Sequence, residues 1–381
     1  MARIARISVH VHLNDLKGRV WNPAIRWTRK YAVFVKVEDD TGATGLGECW
    51  CFDTAPDALC AYLRTEVIPA YLGVEIAETD AIAAALLKRA TLTARHGILA
   101  SALSGMDIAC HDLAARVAGI PVWRHLNREG SGQVRLYASG GLYGQGKGLA
   151  ELTREMAGMA EAGFPIVKMK VGGADTLTDL ARVRGVLDVL PASAKLIIDG
   201  VYTMSPDAAL RFFAALPPDR IEAFQSPVAA HDITGMTRLV REGVPVMATE
   251  AEYRQEVHQI LVEERAVRFL QTAPVACGGF GRLKELADLV RGSECRLSLE
   301  VSSTAVALLA AAHFAAAEDV VAHVEYHYLH QVFFNRLPWS RKGFGDVMPL
   351  PDAAGLGIAL PDSETEQVFE LTNASGEGAV A

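Results

Sequence analysis

The chain has no basic stripe and no run of like charges, and its 37 Lys and Arg against 45 Asp and Glu leave a formal net charge of -8. This balance argues against a nucleic-acid or anionic-membrane partner. Long hydrophobic runs are also missing. The N-terminus, Met1-Ala2-Arg3-Ile4-Ala5-Arg6-Ile7-Ser8-Val9, reads as a strand and lacks the apolar core of a signal peptide. The most apolar segment, 304–317, is alanine-rich, carries His313 and is too short to span a bilayer. Six cysteines (Cys49, Cys51, Cys60, Cys110, Cys277, Cys295) show neither zinc-finger nor redox spacing. Cys49-Trp50-Cys51 is the nearest to a metal pair, and reduced thiols are the expected state. No G-x-G-x-x-G follows the first strand, which removes the usual dinucleotide fingerprint. These absences predict a soluble cytoplasmic protein without nucleic-acid or membrane partners.

What is present is enough hydrophobic residue, 50% of 381, to build a large core, and enough length for two domains. Residues 1–125 read as an α+β module: strands at 7–13 and 31–38, a turn at Asp39-Asp40-Thr41-Gly42, and a short segment Gly45-Leu46-Gly47-Glu48. The stretch 14–30, with Trp21, Pro23 and Trp27, reads as a mobile loop. Helical patterns follow at 55–71, 80–90 and 97–117, the last stopped by Gly119 and Pro121. Regular strand–helix alternation then takes over. Strands are predicted at 134–139, 166–171, 195–199, 223–226, 244–249, 268–272, 296–300 and 321–326. Helices such as 177–190, one opening at Ser205-Pro206, and 281–291 lie between them. Eight such strands within 126–342 predict a closed α/β barrel, with a doubly wound open sheet as the structural alternative. The Gly/Pro-rich tail, 343–381, is expected to turn at Pro349-Leu350-Pro351-Asp352 and return to the N-terminal module, with a disordered composition beyond 372.

The richest local feature is Lys168-Met169-Lys170, closing an apolar run before Gly172-Gly173. On a strand the two lysines share a face, and two adjacent ammonium groups are expected to lower each other's pKa. Asp199, Gln225, Glu250, Ala273, Glu300 and Glu325 each end a later predicted strand, at gaps of about 23 to 31 residues. In a barrel these ends meet at one mouth. Asp, Gln and Glu oxygens on three consecutive strands suit a hard cation, Mg²⁺ before Zn²⁺. A lysine beside such a cation is the arrangement that takes a proton from the carbon next to a carboxylate. His323, Glu325 and His327 alternate, so any of the three can face the mouth. His313, among alanines, reads as a packed core histidine. Gly172-Gly173 and Gly278-Gly279 read as turn glycines rather than phosphate cradles.

Several motifs resemble those of the enolase superfamily, in its mandelate racemase/muconate lactonizing enzyme-like group. Ser101-Ala102-Leu103-Ser104-Gly105-Met106-Asp107-Ile108-Ala109 with His111-Asp112-Leu113 resembles that family's N-terminal helix signature. Gly45-Leu46-Gly47-Glu48 resembles its capping-domain turn, the Lys-x-Lys pair its catalytic lysines, and Cys277-Gly278-Gly279 its sixth strand–helix turn. The likeness covers nearly the whole chain in family order. It implies a (β/α)7β TIM-like barrel under an N-terminal α+β capping domain that the C-terminal tail completes. It also implies Lys170 as base, Lys168 lowering its pKa, Asp199, Gln225 and Glu250 as Mg²⁺ ligands, and Glu325 as acid or hydrogen-bond donor. A Lys or His base working beside Mg²⁺ is the known pairing of that superfamily, so it comes with the resemblance and not from residue spacing.

The departures narrow the chemistry. The family usually has a carboxylate where Gln225 stands, so Mg²⁺ is expected to bind weakly, with Glu252 placed to compensate. Its Asp-x-Asn is here Asp199-Gly200-Val201. The His–Asp dyad of racemising members is replaced by Glu300 and Ala273, and the lysine of muconate-cycloisomerising members is unmatched by Gln271, Thr272 and Ala273. One lysine base plus one acid, Glu300 or Glu325, suffices to eliminate water, so dehydration of a sugar acid is the leading expectation. A racemase, epimerase or cycloisomerase uses the same first step. From other classes come a Schiff-base aldolase, with Lys168 or Lys170 as nucleophile, and a non-catalytic carboxylate binder. Substrate choice is expected to lie in 14–30, with Trp21 and Arg26 as contacts, and the resemblance implies a homo-oligomer.

Overall fold

A computed structural model describes residues 2–51, 56–93, 96–250, 252–337, 347–350, 352–361 and 363–373. Strands run in chain order as β1 (Ile4–Trp21), β2 (Arg26–Asp39), β3 (Thr44–Cys49), β4 (Gln133–Ser139), β5 (Tyr143–Gly144), β6 (Ile166–Lys170) and β7 (Lys195–Asp199). They continue as β8 (Ile221–Gln225), β9 (Val246–Ala248), β10 (Phe269–Thr272), β11 (Arg296–Leu299), β12 (Val321–His327), β13 (Val347–Pro349) and β14 (Glu366–Thr372). Strands β4 and β6 to β12 are parallel neighbours, and β12 pairs back onto β4 (Val324 with Leu136, His327 with Ser139), which closes the barrel. Among the described residues an α-helix follows each barrel strand up to β11, and β12 is followed by a single 3-10 turn at Phe334–Arg336, giving the (β/α)7β arrangement. The alternative of an open doubly wound sheet is thereby excluded.

Side-chain parity does the sorting. Along β6, Val167 and Met169 face outward into the main core, while Lys168 and Lys170 face inward. The same parity sends Ile197, Ala223, Met247 and Phe269 inward, where with Tyr137 they form a separate apolar cluster below the mouth. The helix Pro206–Ala214 starts as its residues dictate: Ser205 accepts the Ala208 N–H, and Pro206 fills a first-turn position where no amide donor is needed. His313 is fully buried; its Nδ1 accepts from Trp123 N at 3.1 Å, and burial lowers its pKa to about 4.

The second sheet is antiparallel, in the order β14-β1-β2-β3, with β5 added at the far end of β1. The tail therefore reaches the N-terminal sheet: β14 pairs with β1 from Arg6 opposite Thr372 to Val11 opposite Glu366. Before it, β13 pairs antiparallel with β4, so Pro349 belongs to a strand rather than the expected turn. The expectation at Pro351, and that of disorder from 374 onward, lie outside the described residues, as does the start of the 55–71 helix. From Asp57 that helix passes through a π turn at Leu63–Val67. A larger correction concerns 14–30. It is not a loop: β1 and β2 pair as far as Trp21 opposite Arg26, and only 22–25 turn. Asn22 Oδ1 accepts the Ala24 and Ile25 N–H groups, each at 2.8 Å, and fixes that turn.

The helix His96–Val117 is apolar and long enough to cross a membrane by composition, but 83% of its apolar window is buried. It packs on β2 and β3 on one side and toward the helix Gly279–Val290 on the other. Its contact with β3 is backbone on backbone, since a Cβ at Gly47 would run into the Gly105 carbonyl oxygen. All six cysteines are buried, and none forms a disulfide. Gly47→Ala should therefore destabilise the protein by about 2–3 kcal/mol through overpacking. The check is the urea midpoint, with Gly42→Ala, where a Cβ meets open space but the backbone φ is +88°, as a comparison for pure backbone strain.

Candidate active site

Barrel closure gathers the predicted strand-end residues. Lys170, Asp199, Gln225, Glu250, Glu300 and Glu325 line one cavity of about 280 Å³. Lys168 lies one layer deeper and is almost wholly buried. Its ammonium is 2.5 Å from Glu325 Oε1 and 3.9 Å from Asp199 Oδ2, donates to Gln225 Oε1 at 2.9 Å, and reaches Tyr137 OH at 3.5 Å. Burial pulls the Lys168 pKa down, but the charges of Glu325 and Asp199 outweigh burial and leave it raised. The expectation that the lysine pair depresses its own pKa values is thus corrected at Lys168. Carboxylates across the barrel act on it more strongly than its neighbour on the strand.

Lys170 Nζ donates to Asp199 Oδ2, while Asp199 Oδ1 accepts from Val201 N at 3.0 Å. Val201 and Tyr202 both hold left-handed backbone conformations (φ 45° and 62°), uncommon for such side chains. That bend brings Tyr202 OH to Glu250 Oε2 at 2.6 Å, where Ser226 Oγ also donates at 3.0 Å. Burial and then the Asp199 charge raise the Glu250 pKa. The Asp199, Gln225 and Glu250 donors are all oxygens, and two of them repel each other; both features fit a hard divalent cation. Glu252 does not join them. It accepts from Arg254 Nε at 2.9 Å and Nη2 at 2.7 Å and lies outside the cavity lining, which corrects its compensating role.

Glu300 stands on the far wall from Lys170, just past β11. Its Oε2 is buried without a hydrogen-bond partner. Burial, then Glu325 and Glu250, push its pKa to about 8, against a smaller lowering from nearby Ser302. Glu325 behaves oppositely. Burial would raise its pKa, but Lys168 above all holds it well below the usual carboxylate range, and its Oε2 accepts from Val301 N at 2.9 Å. Of the alternating trio, Glu325 and His327 line the cavity, whereas His323 bonds Glu222 at 3.1 Å and is not part of the lining.

The structure does not bring Trp21 and Arg26 to the cavity. They pair across the hairpin, with the guanidinium 3.8 Å over the indole and donating to Gly18 O at 2.9 Å. The hairpin residues that do line it are Asn22, Ala24, Ile25 and Trp27. Sequence reasoning also passed over Trp50, Tyr202, Tyr253, Ser302 and His330. None of them ends a barrel strand, so strand-end spacing gave no signal for them.

Residues 26–126 match the mandelate racemase / muconate lactonizing enzyme N-terminal domain, and residues 151–364 match the enolase C-terminal domain-like family. The arabinonate dehydratase of Saccharolobus solfataricus is 25% identical over 340 residues, covering 88% of this chain and 90% of that protein. The D-galactarolactone cycloisomerase of Agrobacterium fabrum is 26% identical over 376 residues, covering 94% and 96%. A mandelate racemase/muconate lactonizing enzyme-like protein from Rubrobacter xylanophilus superposes with a TM-score of 0.84 at 26% identity, covering 95% of this chain and 98% of that one. Relatives at this distance include dehydratases, cycloisomerases and epimerases. With its two matched segments, its closed barrel and the lysines and carboxylates at its mouth, the chain belongs to the enolase superfamily, in the mandelate racemase/muconate lactonizing enzyme group.

Proposed function

We propose that the protein removes the proton alpha to the carboxylate of a small sugar acid and then expels water from the adjacent carbon. The observation that carries this reading is Glu300, a buried carboxyl group pushed to about 8, facing a lysine across the mouth. It holds a proton at neutral pH and has an oxygen free to deliver it. Lys170, in its neutral form, receives the alpha proton. Lys168 stays charged and offsets the negative charge that grows on the substrate carboxylate. The C–H electron pair forms the new C=C bond, the C–O bond of the β-hydroxyl breaks, and the Glu300 proton joins the departing oxygen to make water. The enol left behind tautomerises to a 2-oxo acid. A Mg²⁺ ion held by Asp199, Gln225 and Glu250 would supply further neutralisation at the substrate carboxylate.

Proton NMR of a sugar-acid panel in D₂O with Mg²⁺ tests the division of labour. Lys170→Ala should lose both alpha-proton exchange and elimination, by about 10²–10⁴-fold; elimination that survives this change rejects the proposal. Glu300→Gln should keep exchange and lose elimination. For the unaltered protein, the ratio of elimination to alpha-proton exchange should fall as pH rises through about 8, because both need the Lys170 base but only elimination needs the Glu300 proton. EDTA should abolish turnover and added Mg²⁺ restore it. Because one of the three ligands is a neutral amide, half-maximal restoration should need more Mg²⁺ than in a Gln225→Glu variant.

A further inference from the structure

The proton chemistry leaves one wall of the cavity unused. His330, in the segment after β12, is 1% exposed and lines the cavity, and neither ring nitrogen has a hydrogen-bond partner. Ser302, in the segment after β11, also lines it, and its hydroxyl oxygen is buried with only the Glu300 carboxyl beside it. The His327 ring lies 4.3 Å from that of His330, centroid to centroid, and the Trp27 ring meets His330 edge-on at 6.1 Å. On the neighbouring hairpin, Asn22 Oδ1 already accepts two turn amides. Both ring nitrogens of His330 are thus desolvated without a partner, a cost that a ligand can remove.

The charge state of the ring says what kind of ligand. Burial, then the Lys30 charge, hold the His330 pKa well below its usual value, so the imidazole is neutral. A neutral imidazole offers one N–H donor and one bare nitrogen acceptor, and a serine hydroxyl also gives and accepts. A hydroxyl group matches both roles. An ionised carboxylate only accepts and would leave the bare nitrogen unpaired. We propose that His330 and Ser302 bind the distal hydroxyls of an aldonate-type substrate, a polyhydroxy acid with one carboxylate, and select it over the dicarboxylic sugar acid of equal length. This rests on the sugar-acid reading above and names the substrate class within it.

The test uses the full-length protein with Mg²⁺, aldonates, aldarates of equal carbon number, and glycerate, which has no distal hydroxyls. Steady-state kinetics are paired with equilibrium titration followed by tryptophan fluorescence. Aldonates should bind and react better than aldarates. His330→Phe and Ser302→Ala should each raise KM and Kd for aldonates by about 10- to 100-fold, with kcat changing less, and the effect on glycerate should be smaller. Tighter or equal binding of aldarates overturns the inference, as does failure of aldonates to bind. So does an equal loss for aldonates and glycerate, the signature of a damaged fold or of a subsite that holds only water. An aldarate turned over in preference leaves the dehydration reading intact while removing this one. Titrations that keep the aldonate preference with no alpha-proton exchange in any acid do the reverse.

Discussion

The buried Lys168 ammonium is the group around which the barrel is arranged. Taking a lone ammonium out of water costs several kcal/mol, and the cost is tolerable only when opposite charge and good acceptors surround it. Here those partners come from four different strands: Glu325 from β12, Gln225 from β8, Asp199 from β7 and Tyr137 from β4. They converge only if the sheet closes, and only in this register, because a slip of one residue would turn every inward side chain outward. Fold and site thus share a single constraint. It also separates two similar carboxylates. Glu325 is held ionised by Lys168 and serves as its counter-charge. Glu300, on which burial and two like charges outweigh Lys168 and whose Oε2 has no donor, keeps its proton.

The motifs that identified the family turn out to be one interface seen in several pieces. Ser104 Oγ accepts from Gly278 N at 2.8 Å and Asp107 Oδ2 from Phe280 N at 2.5 Å, so the long helix caps the turn after β10. Asp112 accepts from Leu46 N at 2.8 Å and Leu356 N at 2.6 Å, tying that helix to β3 and to the tail. Glu48, on β3, is fully buried and accepts from Ser303, from Thr304 Oγ1 at 2.6 Å and from Ala307 N at 3.1 Å, at the start of the helix Ala305–Ala317. Ser104, Asp107 and Glu48 satisfy buried polar groups across the boundary between the N-terminal module and the barrel, while Asp112 holds the module together with the tail. Together they seat the β1–β2 turn over the mouth.

This explains what the residues alone disclosed. Barrel strands were legible because apolar runs recur at one strand-plus-helix spacing, and the Lys-x-Lys parity then fixed which side chains point inward. The hairpin was misread because its outer halves expose alternate residues and carry Asn14, Asp15, Lys17 and Arg19, a composition that local patterning assigns to a loop. Its strand character comes from pairing with a partner 5 to 35 positions away, not from an apolar face. The Lys168 pKa was misjudged for a related reason: its strand neighbour is visible in sequence, but the carboxylates that decide the sign are 31 and 157 residues distant. The left-handed backbone at Val201 and Tyr202, which carries a phenol to Glu250, has no signature in those residue types.

The cavity divides by chemistry along the same lines as by chain. Strand ends supply the charged groups, held rigidly by the sheet, and proton transfer needs that rigidity because its barrier depends on fixed electrostatics. Segments beyond the strand ends, with the β1–β2 turn, supply aromatic and neutral polar groups instead. A charged recognition group there would act through the low-dielectric cavity on Lys170 and Glu300 and shift the balance on which the base and acid roles proposed for them depend. The neutral imidazole and hydroxyl of the proposed subsite would distinguish ligands by hydrogen-bond pattern without that penalty. On this view recognition can change by substitution on the outer wall while the inner wall stays the same, as expected where relatives of one fold catalyse dehydration, cycloisomerisation and epimerisation.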